Sequence, residues 1–562
     1  MLSARSHQSG NSQGTATCQI WIRVRYWRLM MPDLTWNHYS RSLIRYANLG
    51  FSMDAARMGM EPDWMRSMEP ANATAMQHIA AIEAGTIVNT DENRQVGHYW
   101  LRNPALAPTE LIRTAIENDI AKIQKFVADV EQGVIRPPGR ERFTELLLIG
   151  IGGSALGPQL IDQALRQDGK GIPLHFLDNT DPGGFDRMLT LLEGRLEGTL
   201  VVVVSKSGKT PETANGMLEV QSAFTRRGID FAKQAVAVTQ EGSLLDQKAV
   251  REEWLDRFPM YDWVGGRTSV MSAVGLLPAA LGGIDILSLL HGASAMDALT
   301  RVSADPRQNA ALLLALAWHR AGHGQGDRDM VILPYCDRLS LMSKYLQQLV
   351  MESLGKEFDR NGRVVHQGIS VFGNKGSTDQ HAYVQQLREG PDNYFATFIE
   401  VRRTREQQES SILVDDTGST SADYLQGFLR GTRQALAEKG HPSITISIPE
   451  VNATTVGSLI ALYERAVSIY ASFININAYH QPGVEAGKAA AGGFLAMLAR
   501  VRDHLQSFPG QGLTAEGLAN ALGESDIEDV YHALTHLVAN RRGFQVFAGD
   551  VPADDVFQFV AA

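Results

Sequence analysis

Cysteine is scarce in this chain: Cys18 and Cys336 are the only two in 562 residues. Two thiols cannot build a disulfide framework, and no Cys/His cluster has zinc-ligand spacing, so a reducing, cytoplasmic setting without a structural metal is expected. Long hydrophobic runs are missing too. The longest uncharged apolar stretch, Val270 to Ile284, is broken by Pro278 and followed by Asp285. A membrane span needs about 20 apolar residues, so no membrane partner is expected. Positive charge is in deficit, with 52 Lys and Arg against 62 Asp and Glu and a net charge of −10. That balance argues against nucleic acid, which needs a basic face. Acidic residues are absent from residues 1–32, which carry Arg5, Arg23, Arg25 and Arg28 with several serines. The composition fits a disordered extension, a start assigned upstream of the folded protein, or an organellar targeting segment.

What is present is core-forming material: 44% hydrophobic and 20% charged residues, a globular composition. At about 150 residues per domain the length allows three to four domains, or two large ones with attachments. Helical patterns are expected over Leu49–Met76 and Glu110–Glu131, within a helical region at 33–140. The texture then changes. Leu146–Ile151 and Leu200–Val204 are continuous apolar runs, each ending in a small-residue turn and a helix. Such runs read as buried strands of a parallel sheet covered on both faces. The pattern returns with a helix at Asn309–Arg320, a strand at Asp329–Pro334, a long helix at Leu339–Lys356, and strands at Tyr394–Val401 and Ser443–Ile448. We therefore read an α/β protein with two tandem sheet domains, at 141–290 and 300–510, the boundary falling in a loop-rich stretch between Gly282 and Pro306. A small acidic appendage at 511–562 follows. There Thr514 caps one short helix, and Ser525 with Glu528 forms a capping box for a second after the Gly523 turn. The pair resembles a helix-turn-helix, but acidic residues outnumber Arg541 and Arg542, so packing or oligomerisation is expected rather than DNA contact.

Two loops carry chemistry. Ser205-Lys206-Ser207-Gly208-Lys209-Thr210-Pro211 follows the valine strand, with Thr210 at the N-cap and Pro211 at the first helical position. Hydroxyls and free amides at the positive end of a helix dipole suit a phosphate; the bland alternative is an ordinary capped turn. Gly150-Ile151-Gly152-Gly153-Ser154 also joins strand to helix, but it is not the G-x-G-x-x-G dinucleotide fingerprint. Two such loops in one sheet fit a small phosphorylated ligand better than a nucleotide.

These loops belong to a longer series. Gly150–Ser154 with Leu156-Gly157-Pro158, Ser205-Lys206-Ser207, Asp262-Trp263-Val264-Gly265-Gly266-Arg267, Met351-Glu352-Ser353 with Gly355-Lys356, Gln380-His381-Ala382, and Gln481-Pro482-Gly483-Val484-Glu485 with Gly487-Lys488 together resemble the glucose-6-phosphate isomerase family, in the family's order. The resemblance implies two sugar-isomerase (SIS-type) domains and aldose–ketose isomerisation of glucose 6-phosphate and fructose 6-phosphate, without metal or cofactor. It implies that Ser205, Ser207 and Thr210 hold the phosphate, with Lys206, Gly208 and Lys209 in the same loop, and that Gly153 and Ser154 line the sugar side. Gln348, one helical turn before Glu352, and Gln481 join the substrate-binding set.

The reaction moves a proton between carbons 2 and 1 through a cis-enediol, so one base must reach both carbons. The resemblance gives that part to Glu352 and the stabilisation of the enediolate to Arg267, with His381 and Lys488 opening the sugar ring. Read without it, Glu352 is an ordinary helix glutamate and Arg267 a loop brace. In the family the histidine reaches the site from the partner subunit, which implies a homodimer with shared active sites. The chain departs from the family pattern at Thr268, where an aromatic residue is usual, at His480, where an acid or amide is usual, and at Lys209, which either tightens phosphate binding or points to solvent. Two alternatives stay open: a non-catalytic sugar-phosphate sensor, which has no need of Glu352, Arg267, His381 and Lys488 together, and an isomerase that also takes mannose 6-phosphate.

Overall fold

The computed structural model describes residues 36–405 and 412–561; the expectation for residues 1–32 lies outside them. Residues 36–480 form one compact unit and residues 481–561 a second. The first opens with an antiparallel pair, β1 (Ile44–Tyr46) and β2 (Phe51–Arg57). A helix was expected there, over Leu49–Met76. Instead β2 pairs antiparallel with a later strand of the second sheet, and helix begins only at Pro62. Tertiary pairing overrides the local preference of a Met- and Ala-containing segment.

The first sheet contains β3 (Glu145–Ile149), β4 (Leu174–Leu177), β5 (Thr199–Val204), β6 (Ala235–Thr239) and β7 (Asp256–Pro259). All pairs are parallel, in the order β4-β3-β5-β6-β7. Both faces are covered, which is why β5 can be Thr-Leu-Val-Val-Val-Val with every residue buried. The chain runs from β3 to β4 on one side, then crosses back to β5 on the other. That reversal opens a crevice at the carboxyl ends of β3 and β5, where open α/β sheets bind ligands.

The second sheet is built from β8 (Asp329–Pro334), flanked by β11 (Val371–Phe372) and β12 (Tyr394–Val401), with β13 (Ser443–Ile448) beyond β12 and the β2-β1 pair at the edge. Strands β9 (Lys356–Phe358) and β10 (Val364–Gln367) form a separate two-stranded ribbon. One continuous hydrophobic core runs through both sheets and the helices beside them. The stretch expected as a boundary loop between Gly282 and Pro306 is largely helix, Ile286–Thr300. One face of it, with Leu289, Leu290, Ala293 and Met296 buried, packs on the buried Ala453–Phe473 helix.

That helix pair is unusually close. A methyl group at Gly292 would overlap the Thr454 carbonyl, and one at Gly457 the Leu289 carbonyl. Backbone cannot move aside as a side chain can. Gly457→Ala is therefore expected to lower stability by about 1–3 kcal/mol, read as a lower urea midpoint with an unchanged m-value. Next to this crossing lies a buried charge network. Arg102 bonds Asp297 (Nε–Oδ2 2.5 Å) and Glu464, and Arg465 links Asp297 (3.1 Å) to Glu83 (2.6 Å). It joins the segment before the first sheet to both helices.

In the second unit the Pro482–Ser507 helix, the helices Ala515–Leu522 and Ile527–Asn540, and the hairpin β14 (Phe544–Phe547)–β15 (Val556–Phe559) enclose their own core around Val501, Leu518, Val530 and Phe557. Thr514 and Gly523 cap the first short helix as expected. The second is capped by Asp526 rather than Ser525, and the hairpin was not foreseen.

Candidate active site

The crevice at β3 and β5 is framed by the two glycine loops. After β3, Gly152 turns with φ +58° and Gly152–Ser154 forms a 3-10 turn. Gly153 has no room for a side chain: a methyl group would overlap the Gly266 carbonyl. Its smallness lets the Gly265-Gly266-Arg267 turn lie against this loop, and Ser269 Oγ donates to the Gly153 carbonyl at 3.3 Å. The side-chain amide of Gln348 lies beside Gly152. Thus Gly152, Gly153, Gln348 and Arg267, far apart in sequence, come together.

After β5, Ser205 is buried and its Oγ accepts from the Gly208 amide at 3.1 Å, while Ser207 Oγ accepts from the Lys209 amide at 3.2 Å. Thr210 occupies the N-cap of the Pro211–Arg226 helix without bonding it through its side chain. Ser205, Gly208 and Thr210 line a cavity of about 270 Å³ shared with Lys248 and Arg251. Lys209 is exposed. Lys206 turns the other way: its Nζ donates to the carbonyls of Asp262 and Val264, each at 3.1 Å. It ties the phosphate-type loop to the Arg267 loop, and burial pushes its pKa down. That second loop is also held by Trp263, which stacks on Tyr261 and whose carbonyl accepts from Gly97 N at 2.8 Å.

Arg267 is buried, 7% exposed. Its Nε lies 3.1 Å from Glu352 Oε2. Its terminal nitrogens donate to Ser353 Oγ (3.3 Å) and to the carbonyls of Ala478 (3.1 Å) and His480 (3.4 Å). Burial pulls its pKa down from the ordinary value and the charge of Glu352 opposes that pull. The guanidinium fork is thus fixed on several sides while one edge meets the carboxylate.

Glu352 is half-buried and ends a π-helical turn, Gln347–Glu352, that follows a short α-helix, Met342–Leu346. One continuous helix was expected over Leu339–Lys356. The widened turn leaves the carbonyls of Glu352 and Ser353 facing Lys356, whose Nζ donates to both at 2.8 Å. Turns of this kind recur at functional sites.

The chain matches the model of the family described as phosphoglucose isomerase over residues 64–508. The chain belongs to the phosphoglucose isomerase family. Similar proteins include the glucose-6-phosphate isomerase of Synechococcus elongatus, 59% identical over 518 residues, covering 92% of this chain and 97% of that protein. That of Geotalea daltonii is 55% identical over 506 residues, covering 90% and 95%. Among solved structures, a glucose-6-phosphate isomerase from Chlamydia trachomatis superposes with a TM-score of 0.74 at 26% identity, covering 88% of this chain and 99% of that one.

The phosphoglucose isomerase match includes the remaining expected site residues, His381, Gln481 and Lys488. His381 is exposed at the end of a 3-10 turn, Asp379–His381. The turn is anchored by buried Asp379, which accepts from Asn374 N (2.9 Å) and Tyr383 Oη (2.5 Å). Gln481 and Lys488 belong to the second unit, Gln481 at the N-cap of the Pro482–Ser507 helix and Lys488 within it. No helix among the described residues is long and apolar enough to cross a membrane, and no cluster of three or more His, Cys, Asp or Glu among them is placed to hold a metal ion.

Sequence reasoning quoted Lys356 without assigning it a part. Only the fold shows it buried, 5% exposed, and bonded to the turn that carries Glu352. Burial pushes its pKa down to about 7; the charge of Arg267 adds to the shift and that of Glu352 opposes it. An unfolded chain keeps a lysine proton to about pH 10.4. Between those values the unfolded state binds more protons, so the stability attached to this group is least below pH 7 and rises with pH across the window. Lys356→Met cannot titrate. The difference in Tm between wild type and this variant is expected to move in favour of wild type from pH 7 to pH 9; a constant difference would contradict the shift.

Proposed function

We propose that the protein interconverts glucose 6-phosphate and fructose 6-phosphate. The observation that carries this reading is the Arg267–Glu352 pair (3.1 Å) set against the Gly152-Gly153 loop and Gln348. The hydroxyl-rich Ser205–Thr210 loop follows the neighbouring strand β5. Isomerisation requires a carboxylate and a permanent cation at one end of the substrate and a phosphate cradle at the other. An arrangement that only bound sugar phosphate would have no use for the first.

In this reading the substrate phosphate is held by Ser205, Ser207 and Thr210 at the start of the Pro211–Arg226 helix, where amides and dipole favour an anion. The Glu352 carboxylate takes the proton from carbon 2, and the C–H electron pair forms the carbon 1–carbon 2 double bond as the carbonyl pair moves onto oxygen 1. The hydroxyl proton of oxygen 2 passes to oxygen 1, and the same carboxyl returns its proton to carbon 1 as carbon 2 becomes the carbonyl. Arg267 meets the developing oxyanion without rearrangement, because its other nitrogens are already bonded. A guanidinium stays charged at any working pH. Ring opening is assigned to His381 and Lys488 on the family pattern. The exposed position of His381 supports its service to a partner subunit, and so a homodimer with shared sites. We also place the protein in the cytoplasm.

The test is direct. Purified protein given fructose 6-phosphate, NADP⁺ and excess glucose-6-phosphate dehydrogenase should generate NADPH without added metal. No NADPH would overturn the assignment, and loss of activity on EDTA treatment would place the chemistry in a different isomerase class.

A further inference from the structure

The second sheet has a crevice of its own at the carboxyl ends of its strands, and none of the proposed catalytic residues line it. We propose that it is a second binding site, for a small metabolite carrying at least two anionic groups, of the organophosphate class.

The cavity measures about 530 Å³, within the range of small-molecule pockets. Its walls come from the segments that leave three parallel strands: Arg338 after β8, Arg403 and Arg405 after β12, and Glu450 to Thr454 after β13. Lys170 and the start of the Ile286–Thr300 helix complete it. Open α/β sheets bind ligands at this edge; in the first sheet the same edge carries the Ser205–Thr210 loop.

The charge of the lining defines the ligand. Among its described residues, Lys170, Arg338, Arg403 and Arg405 face two carboxylates, Asp285 and Glu450, an excess of two positive charges among them on a chain of net −10. Both carboxylates are engaged. Asp285 caps its helix, accepting from the amides of Leu287 (3.1 Å) and Ser288 (3.0 Å) and from Ser288 Oγ (2.6 Å). Glu450 pairs with Arg403 and accepts from Asn452 Nδ2 at 2.9 Å. Arg338 is anchored through Nε to the Ala164 carbonyl at 2.6 Å, which orients the guanidinium and uses one of its five donors. Cations on separate segments around a space of this size suit two separated anionic groups better than a single one. Buried Leu165, Ile284 and Val451 give the cavity an apolar floor, which suits the carbon skeleton between them.

Inorganic pyrophosphate serves as the probe, with the full chain in each case. Its binding is measured by calorimetry in wild type, in Ser207→Ala/Thr210→Ala, which disables the proposed catalytic phosphate cradle, and in Lys170→Ala/Arg403→Ala. One binding event is expected to persist in the first variant. In the second it is expected to weaken on the order of tenfold or more, about 1.4 kcal/mol or above, while turnover of fructose 6-phosphate stays within twofold of wild type. Lys170→Glu, at an exposed loop position, provides the same weakening with no packing change should the double variant fold poorly. Binding that vanishes with the cradle variant and is unmoved by both cavity variants would overturn the proposal, whatever the isomerase assay shows.

Discussion

Replacing Glu352 by Gln is expected to reduce kcat for fructose 6-phosphate on the order of a thousandfold, with KM little changed. The amide has nearly the shape of the carboxylate and can keep its place beside Arg267 Nε, now 3.1 Å from the acid. It cannot take a proton. In the proposed reading substrate affinity resides mainly in the Ser205–Thr210 loop, whose own bonds do not involve residue 352, so the loss falls on the chemical step. Exchange of the substrate's carbon-bound hydrogen with deuterated water, followed by NMR, should disappear in parallel. A Glu352→Gln variant turning over at near the wild-type rate would remove Glu352 from the part of base.

Arg267→Ala is expected to have the next largest effect, a loss of about 10²–10³ in kcat. Two consequences combine. The enediolate loses the cation fixed beside it, and the carboxylate of Glu352 loses its ion-pair partner while Ser353 Oγ and the Ala478 and His480 carbonyls lose a donor. Arg267→Lys separates them: it restores a charge but not the fork that reaches those partners at once. Its kcat is expected to lie between wild type and Arg267→Ala, and its Tm closer to that of Arg267→Ala. Equal kcat for the two variants would show that the charge contributes nothing to the chemical step and that Arg267 is a brace.

The parallel strands were legible because burial on both faces leaves a one-dimensional mark, a continuous apolar run such as Thr199–Val204. Strand β2 left no such mark: Phe51–Arg57 mixes Met, Ala, Ser, Asp and Arg, and it is a strand because β13 offers an edge to pair with. The Ile286–Thr300 helix was misread for the opposite reason. Its apolar residues are not confined to the buried face, since Leu287 is 49% exposed, and that blurs the 3.6-residue period that marks a helix packed on one side. The π-turn at Gln347–Glu352 changes hydrogen-bond register without changing composition, so no pattern of residues announces it.

The same division holds at the site. Residue types alone determined that two turn-forming loops follow apolar strands, that one is rich in hydroxyls at a helix start, and, through the ordered strings, the family. Those are local properties, set by backbone preference and side-chain chemistry within a few residues. Tertiary structure decided which loops share a crevice, because the strand order β4-β3-β5-β6-β7 puts β3 beside β5. It decided that Lys206 ties two loops together, that Lys356 secures the turn of Glu352, and that Arg267 meets Glu352 from a different sheet connection. These depend on contacts between distant segments, whose geometry is set by packing of the whole core and is written at no single stretch of the chain.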